Sequence, residues 1–174
     1  MRMFLDKVVL RRPERRDVES LYEYRNDSEI VCLLGGFSKG YSTKDIEDWI
    51  ELHRTRDDEI VWVIVEKESD KCVGHVGLYN IDHRVQCAEF AIVIGDKTCW
   101  GKGFGKQVSR SVIEYGFKQL NLHRIKLTVL ATNVRAVKFY EKIGFRKEGT
   151  LRHEQYRDNH YVDVLMMGML ENEW

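Results

Sequence analysis

Trp100-Gly101-Lys102-Gly103-Phe104-Gly105-Lys106 separates two unlike patterns, and its reading decides the fold. Before it lies Ala88-Glu89-Phe90-Ala91-Ile92-Val93-Ile94, a short apolar run of strand length. After it, Phe104, Val108, Val112 and Tyr115 recur at helical spacing. A Gly-rich turn from strand into helix leaves backbone N–H groups pointing outward at the positive end of a helix dipole, which suits a phosphate. Glycines at alternate positions let an anion approach the backbone without meeting a Cβ, and Lys102 and Lys106 add positive charge. Such a turn is also compatible with a simple tight connection. It lacks the Gly-Lys-Ser/Thr ending of a P-loop. Its Gly-x-Gly-x-Gly spacing, in mid-chain, is not the dinucleotide Gly-x-Gly-x-x-Gly.

At 174 residues with 43% hydrophobic content, the chain reads as one domain, residues 1–174, with enough apolar surface for a core. Its 28 basic and 28 acidic residues cancel, so no bulk field draws it to nucleic acid or membrane. Met1-Arg2-Met3-Phe4-Leu5-Asp6 meets charge before a signal-length apolar run develops, and the apolar stretch 60–65 is too short to span a bilayer. Cys32, Cys72, Cys87 and Cys99 lack metal-ligand spacing, so no metal is expected and reduced thiols in a cytoplasmic protein are the reading. Cys99, beside the Gly-rich turn, reads as a small semi-buried residue.

Working outward, no repeat or Pro/Ser-rich linker marks a domain boundary, and the one proline is Pro13. Residues 8–11 read as a strand and 15–25 as a helix with Val18, Leu21 and Tyr22 on one face. Gly35, Gly36 and Gly40 suggest a flexible loop. Ser42-Thr43-Lys44-Asp45 resembles a capping box opening a helix to about His53 that buries Ile46, Trp49, Ile50 and His53. Strands at 60–66, 72–79 and 86–94, with turns at Ser69-Asp70-Lys71 and Asp82-His83-Arg84, predict antiparallel hairpins. A strand at 124–130 and a helix at 134–143, ended by Gly144, precede a strand pair at 145–153 and 161–169 that turns at Arg157-Asp158-Asn159-His160. The order β-α-α-β-β-β-α-β-α-β-β predicts an α+β fold, a mixed and mostly antiparallel central sheet flanked by helices.

That order, with the Gly-rich turn after the fourth strand, resembles the GNAT superfamily of N-acetyltransferases. Its pyrophosphate motif is Gln/Arg-x-x-Gly-x-Gly/Ala. Trp100-Gly101-Lys102-Gly103-Phe104-Gly105 is similar to it, with Trp100 where the family has Gln or Arg. Asn133-Val134-Arg135-Ala136-Val137-Lys138-Phe139-Tyr140-Glu141-Lys142-Ile143-Gly144-Phe145 is similar to the second signature, Asn-x-x-Ala-x-x-x-Tyr-x-x-x-Gly-Phe. Leu10-Arg11-Arg12-Pro13 and Tyr161-Val162-Asp163-Val164 extend the resemblance over nearly the whole chain. It is nearest the branch with ribosomal-protein N-terminal acetyltransferases and spermidine acetyltransferases. The connection Gly95-Asp96-Lys97-Thr98-Cys99 lacks a proline often found there.

The resemblance implies acetyl-CoA as co-substrate, no metal, and a pantetheine arm entering where the fourth and fifth strands splay. The arm would pair with backbone of Ile92, Val93 and Ile94, one of whose N–H groups would polarise the thioester carbonyl. The pyrophosphate would rest on the Trp100 to Lys106 turn, with the amides of Gly101, Lys102, Gly103, Phe104, Gly105 and Lys106 as its cradle. Asn133 would bond the arm, and small Ala136 would let it pass. Tyr140 matches the tyrosine that protonates the departing thiolate, a phenol with a reference pKa near 10. Read without the family, an aromatic between Val137 and Ile143 is core.

Glu89, the only charge in 88–94, is the base candidate if burial raises its pKa. A solvent-facing strand glutamate fits the same pattern, and Glu89 could also only shape a water path. His75 and His83 are weaker alternatives. The resemblance implies an acceptor that is a polyamine such as spermidine or a protein N-terminal amine. Asp45, Glu47, Asp48 and Glu51 would suit a polyamine, although a charged helix is also a solvated face. Tyr24-Arg25-Asn26-Asp27 resembles members that acetylate amino-sugar nucleotides, with Arg25 facing a phosphate. A non-catalytic acyl-CoA sensor would keep the turn without needing Tyr140. A homodimer or higher homo-oligomer is compatible with the family.

Overall fold

The computed structural model describes residues 2–36, 40–157 and 159–174, so Asp158 of the predicted last turn lies outside the described residues. Ile60–Glu66, IVWVIVE, is apolar on both faces and almost wholly buried, as a strand covered on both sides must be. The strands are β1 (Met3–Phe4), β2 (Val8–Arg11), β3 (Ile60–Glu66), β4 (Cys72–Asp82), β5 (Cys87–Ile94), β6 (Arg124–Leu130), β7 (Arg146–Arg157) and β8 (His160–Leu170). They form one eight-stranded sheet in the order β1-β2-β3-β4-β5-β6-β8-β7. Every neighbouring pair is antiparallel except β5 with β6. The mixed, mostly antiparallel sheet is the one expected, and both hairpins fall where the turns place them.

The helices are α1 (Val18–Arg25), α2 (Ser28–Leu33), α3 (Thr43–Thr55), α4 (Phe104–Gln119) and α5 (Val134–Ile143). Val108, Val112 and Ile113 of α4 join Tyr140 and Ile143 of α5 in a core with Trp62, Ile64, Leu78, Phe90 and Ile125 of the sheet. Leu21, Tyr24, Ile30, Ile46 and Ile50 pack α1, α2 and α3 with Val93 in a separate cluster. Val93 lies three residues beyond Phe90, an odd spacing that reverses the side chain. The two helix groups therefore cover opposite faces.

Three local readings are corrected. Residues 15–17 form a 3-10 turn ahead of α1. Asp17, 2% exposed, is held by two 2.7 Å bonds from buried Arg11 and accepts from the Glu14 amide at 2.8 Å. Tyr22 faces solvent, and Leu21 with Tyr24 forms the buried side of α1. Within α3, Ile46 and Ile50 are buried, while Trp49 and His53 are only partly so. The short α2 has no counterpart in the sequence pattern; Asp27 caps it, accepting from the amides of Glu29 and Ile30.

The decisive irregularity lies between β5 and β6, the fourth and fifth strands of the sequence prediction. They pair only at Cys87, Ala88 and Glu89 against Arg124, Ile125 and Lys126. β5 nevertheless stays paired with β4 as far as Ile94, and β6 with β8 as far as Leu130. From Phe90 onward the two strands part, leaving a V in mid-sheet.

Candidate functional site

The V opens into a cleft of about 730 Å³. Gly101 and Gly103 both have positive φ, 79° and 85°, and Gly103 is the N-cap of α4. A Cβ on either would meet nothing within 4 Å, so the turn presents bare backbone to open space. The first-turn amides of Phe104, Gly105 and Lys106 have no acceptor within the helix, and Gln107 is the first to find one, Gly103 O at 3.2 Å. These amides are the cradle.

Several residues of the turn have other duties. Phe104 contributes only its backbone, because its ring is 3% exposed in the core. The Lys102 amide is bonded to Cys99 O at 3.4 Å and its ammonium to Glu66 Oε1 at 3.2 Å, which removes Lys102 from the cradle. Ser69 and Lys102 together hold the Glu66 carboxyl below the usual range. Lys106 is exposed and lines the cleft. Gly105 lets α4 approach α5, since a Cβ there would stand 3.3 Å from the Phe139 ring. Cys99 is buried, and its thiol pKa is raised by that burial.

Trp100 does not supply an anion-facing polar group. Its indole donates to Ile94 O at 2.8 Å, which engages one of the carbonyls expected to be free. Arg135 lies over the same ring at 4.6 Å. Arg135 also lines the cleft and was not singled out from sequence, although it sits inside the second signature.

At the start of α5, Asn133 Oδ1 accepts from the Ala136 amide at 3.1 Å, and its Nδ2 donates to Leu33 O at 3.2 Å. Its acceptor is thus committed to capping, which leaves one N–H for a ligand. Ala136, Ile92, Val93 and Ile94 line the cleft. Tyr140 lines it too while being 9% exposed, with its ring edge-on to Phe90, Phe139 and Phe145. Among the described residues nothing hydrogen-bonds its hydroxyl, and burial pushes its pKa up to about 12. Tyr140 is thus a core residue that also lines the cleft.

Strand alternation sets the place of Glu89. Ala88 and Phe90 point into the α4–α5 core, so Glu89 and Ala91 share the other face with Val93. Glu89 is therefore half-buried, between the buried and the solvent-facing placements that the sequence leaves open. Asn80 Nδ2 donates to its Oε2 at 3.2 Å, and Lys126 is its register neighbour on β6. Glu89 and Tyr140 thus address the V from opposite faces of the sheet.

The remaining candidates do not line the cleft. His75 is buried and bonded through Nδ1 to Tyr24 Oη at 2.7 Å. Burial, and then the charges of Arg25 and His53, lowers its pKa to about 3, so it is a neutral core histidine. His83 is exposed in the turn after β4. The Arg25 guanidinium stacks on Tyr41 at 5.0 Å and Trp49 at 4.9 Å. The acidic residues of α3 are occupied: Asp45 caps with Ser42, Glu47 meets Arg15 at 3.4 Å, Asp48 meets Lys44, and Glu51 meets Arg54 at 3.5 Å. Glu47, Asp48 and Glu51 line a separate groove of about 470 Å³ beside Pro13. Among the described residues no His/Cys/Asp/Glu group could hold a metal, and no helix is long and apolar enough to cross a membrane.

Residues 7–146 match the family described as acetyltransferase (GNAT) domain. A spermidine N(1)-acetyltransferase of Vibrio cholerae is 30% identical over 168 residues, 97% of this chain and 95% of that protein. The crystal structure of spermidine N-acetyltransferase from Vibrio cholerae in complex with CoA and spermine aligns with TM-score 0.88 at 30% identity, over 96% of this chain and 97% of that one. A dodecameric structure of spermidine N-acetyltransferase from Vibrio cholerae aligns with TM-score 0.80 at 30% identity, over 95% of each chain.

Proposed function

The chain belongs to the GNAT acetyltransferase family and is an acyltransferase; from that premise we propose that it moves the acetyl group of acetyl-CoA to a primary amine held over the V, with Tyr140 as general acid. One observation carries this reading. The β5–β6 pairing stops at Glu89, and the resulting gap joins the glycine cradle to Tyr140 in one cleft. The cradle fits a pyrophosphate: its glycines leave open the space that a Cβ would fill, and three helix-start amides face it. Lys106 and Arg135 add the positive charge that Lys102 does not. The resemblance to a spermidine N-acetyltransferase solved with CoA and spermine supports the coenzyme.

The amine arrives as an ammonium and loses one proton to Glu89, or to water organised by it. The neutral nitrogen attacks the thioester carbonyl, whose developing negative charge is met by backbone N–H groups of β5 near Ile92 and Val93. The C–S bond breaks as the C–N bond forms, and the thiolate takes the Tyr140 proton. The proton shed by the new amide nitrogen returns through solvent to the phenolate. Thiol, amide and one net proton leave, and both side chains are restored.

A polyamine, for which the spermidine-acetylating relatives speak, and a protein N-terminal amine are the two candidate acceptor classes. The whole chain acts as one domain, in the cytoplasm, as a homo-oligomer; the dodecameric relative supports the last point. The test is a titration of acetyl-CoA followed by thiol release with spermidine, Ser- and Ala-starting peptides and an amino-sugar nucleotide. Saturable binding and turnover of at least one amine is expected. Binding without turnover of any amine would make the protein a sensor.

A further inference from the structure

The half of the cleft that faces α2 is mostly apolar, with Thr128 and Gln155 as its uncharged polar side chains. Ile125, Leu127 and Val129 point into the α4–α5 core, so the alternate residues Thr128 and Leu130 face the other way, and Leu130 packs with Val164. These join Ala91 as the floor, and Leu33 and Leu34 at the end of α2 overhang it, 39% and 54% exposed. Among the described lining residues Glu89 is the one carboxylate. The acids of α2 itself, Asp27 and Glu29, both hold Lys97, at 2.8 and 2.6 Å. A cation stands nearby instead. Arg157 of β7 donates to Cys32 O and Gly36 O at the end of α2, and no carboxylate among the described residues pairs with it.

Resting on the acetyltransferase reading above, we propose that the acceptor is an amine with a single positive charge carried on an apolar body, and not a polyamine. One carboxylate compensates one ammonium, and Glu89 is placed to do so at the V. A second ammonium a few methylenes away would lie over leucine and valine, with no second carboxylate among the described lining residues and Arg157 nearby. An aliphatic or aromatic body would instead cover Leu33 and Leu34.

The test compares kcat/KM for phenethylamine, L-leucinamide and spermidine at saturating acetyl-CoA, in the intact chain and in Leu34→Glu. Leu34 is exposed, so the variant should melt with the parent. The better monoamine should exceed spermidine by about tenfold or more, as pockets of fixed polarity discriminate. Leu34→Glu should shift that ratio toward spermidine by about tenfold. A spermidine preference in the parent, or an unmoved ratio in a folded variant, overturns the proposal and leaves the acetyltransferase reading standing. Acetyl-CoA binding without acetylation of any amine overturns both.

Discussion

The Tyr140 ring is fixed by three phenylalanines, and burial places its pKa at about 12. The phenol therefore carries its proton at every pH used for assay, which a proton donor to a thiolate requires. Tyr140→Phe keeps the packing and removes the proton. It should lower kcat by about 10²- to 10⁴-fold while leaving coenzyme affinity unchanged, since the hydroxyl acts only as charge develops on sulfur. An affinity loss that parallels the rate loss would make it a binding residue. Glu89→Gln should depress kcat/KM most at low pH, where the acceptor is protonated, and converge on the parent where the amine is already neutral. A pH–rate profile identical to the parent's would reduce Glu89 to a strand residue bonded to Asn80. Both residues are nominated by sequence alone, and of the two placements open to Glu89 the half-exposed one is found. The alternation of Ala88 and Phe90 with Glu89 already placed the carboxylate on the opposite face.

At the scale of elements, local signals were readable and distant partners were not. The Ser42 and Asp45 box announces α3 because its bonds close within four residues. The six residues of α2 are too few to show periodicity, and only Asp27 hints at it. The partner of Lys102, Glu66, is 36 positions away, so no local pattern announces their ion pair. The partner of Glu47, Arg15, lies in the turn before α1, equally beyond the reach of local pattern. One such distant contact pins α1 to β4: the Tyr24 hydroxyl on the buried imidazole of His75. That imidazole titrates near 3 when folded and near 6.5 when unfolded. Between those values the unfolded chain binds a proton that the native chain refuses, so stability falls as pH falls through that window. The contribution approaches about 1.4 kcal/mol per pH unit. His75→Gln should flatten the decline of the urea midpoint between pH 6.5 and 4 relative to the parent, and equal slopes would contradict this.

At the scale of the molecule, an eight-stranded sheet is interrupted once, and the interruption is where function collects. The glycine turn and the second signature lie about 30 positions apart in the chain, and α4 and α5 pack side by side to bring them together on one face of the V. In the function we propose, the other face takes the acceptor between α2 and β8, with Glu89 at its edge. Motif order made the coenzyme half readable. The half we assign to the acceptor takes single residues from α2, β5, β6 and β8 that share no motif, so no sequence pattern marks it. The account stands on acetyl-CoA lying on the cradle at the start of α4, and calorimetric titration of acetyl-CoA into the parent and Gly103→Val measures that directly. The branched side chain would project into the open space at Gly103, at a strain cost of about 1–2 kcal/mol for a left-handed residue, so a thermal melt must accompany the titration. The parent should bind saturably, and the folded variant should bind about 100-fold more weakly or not at all, because the loss of close backbone approach removes several charge-assisted hydrogen bonds. Undiminished affinity in a folded Gly103→Val would contradict the account.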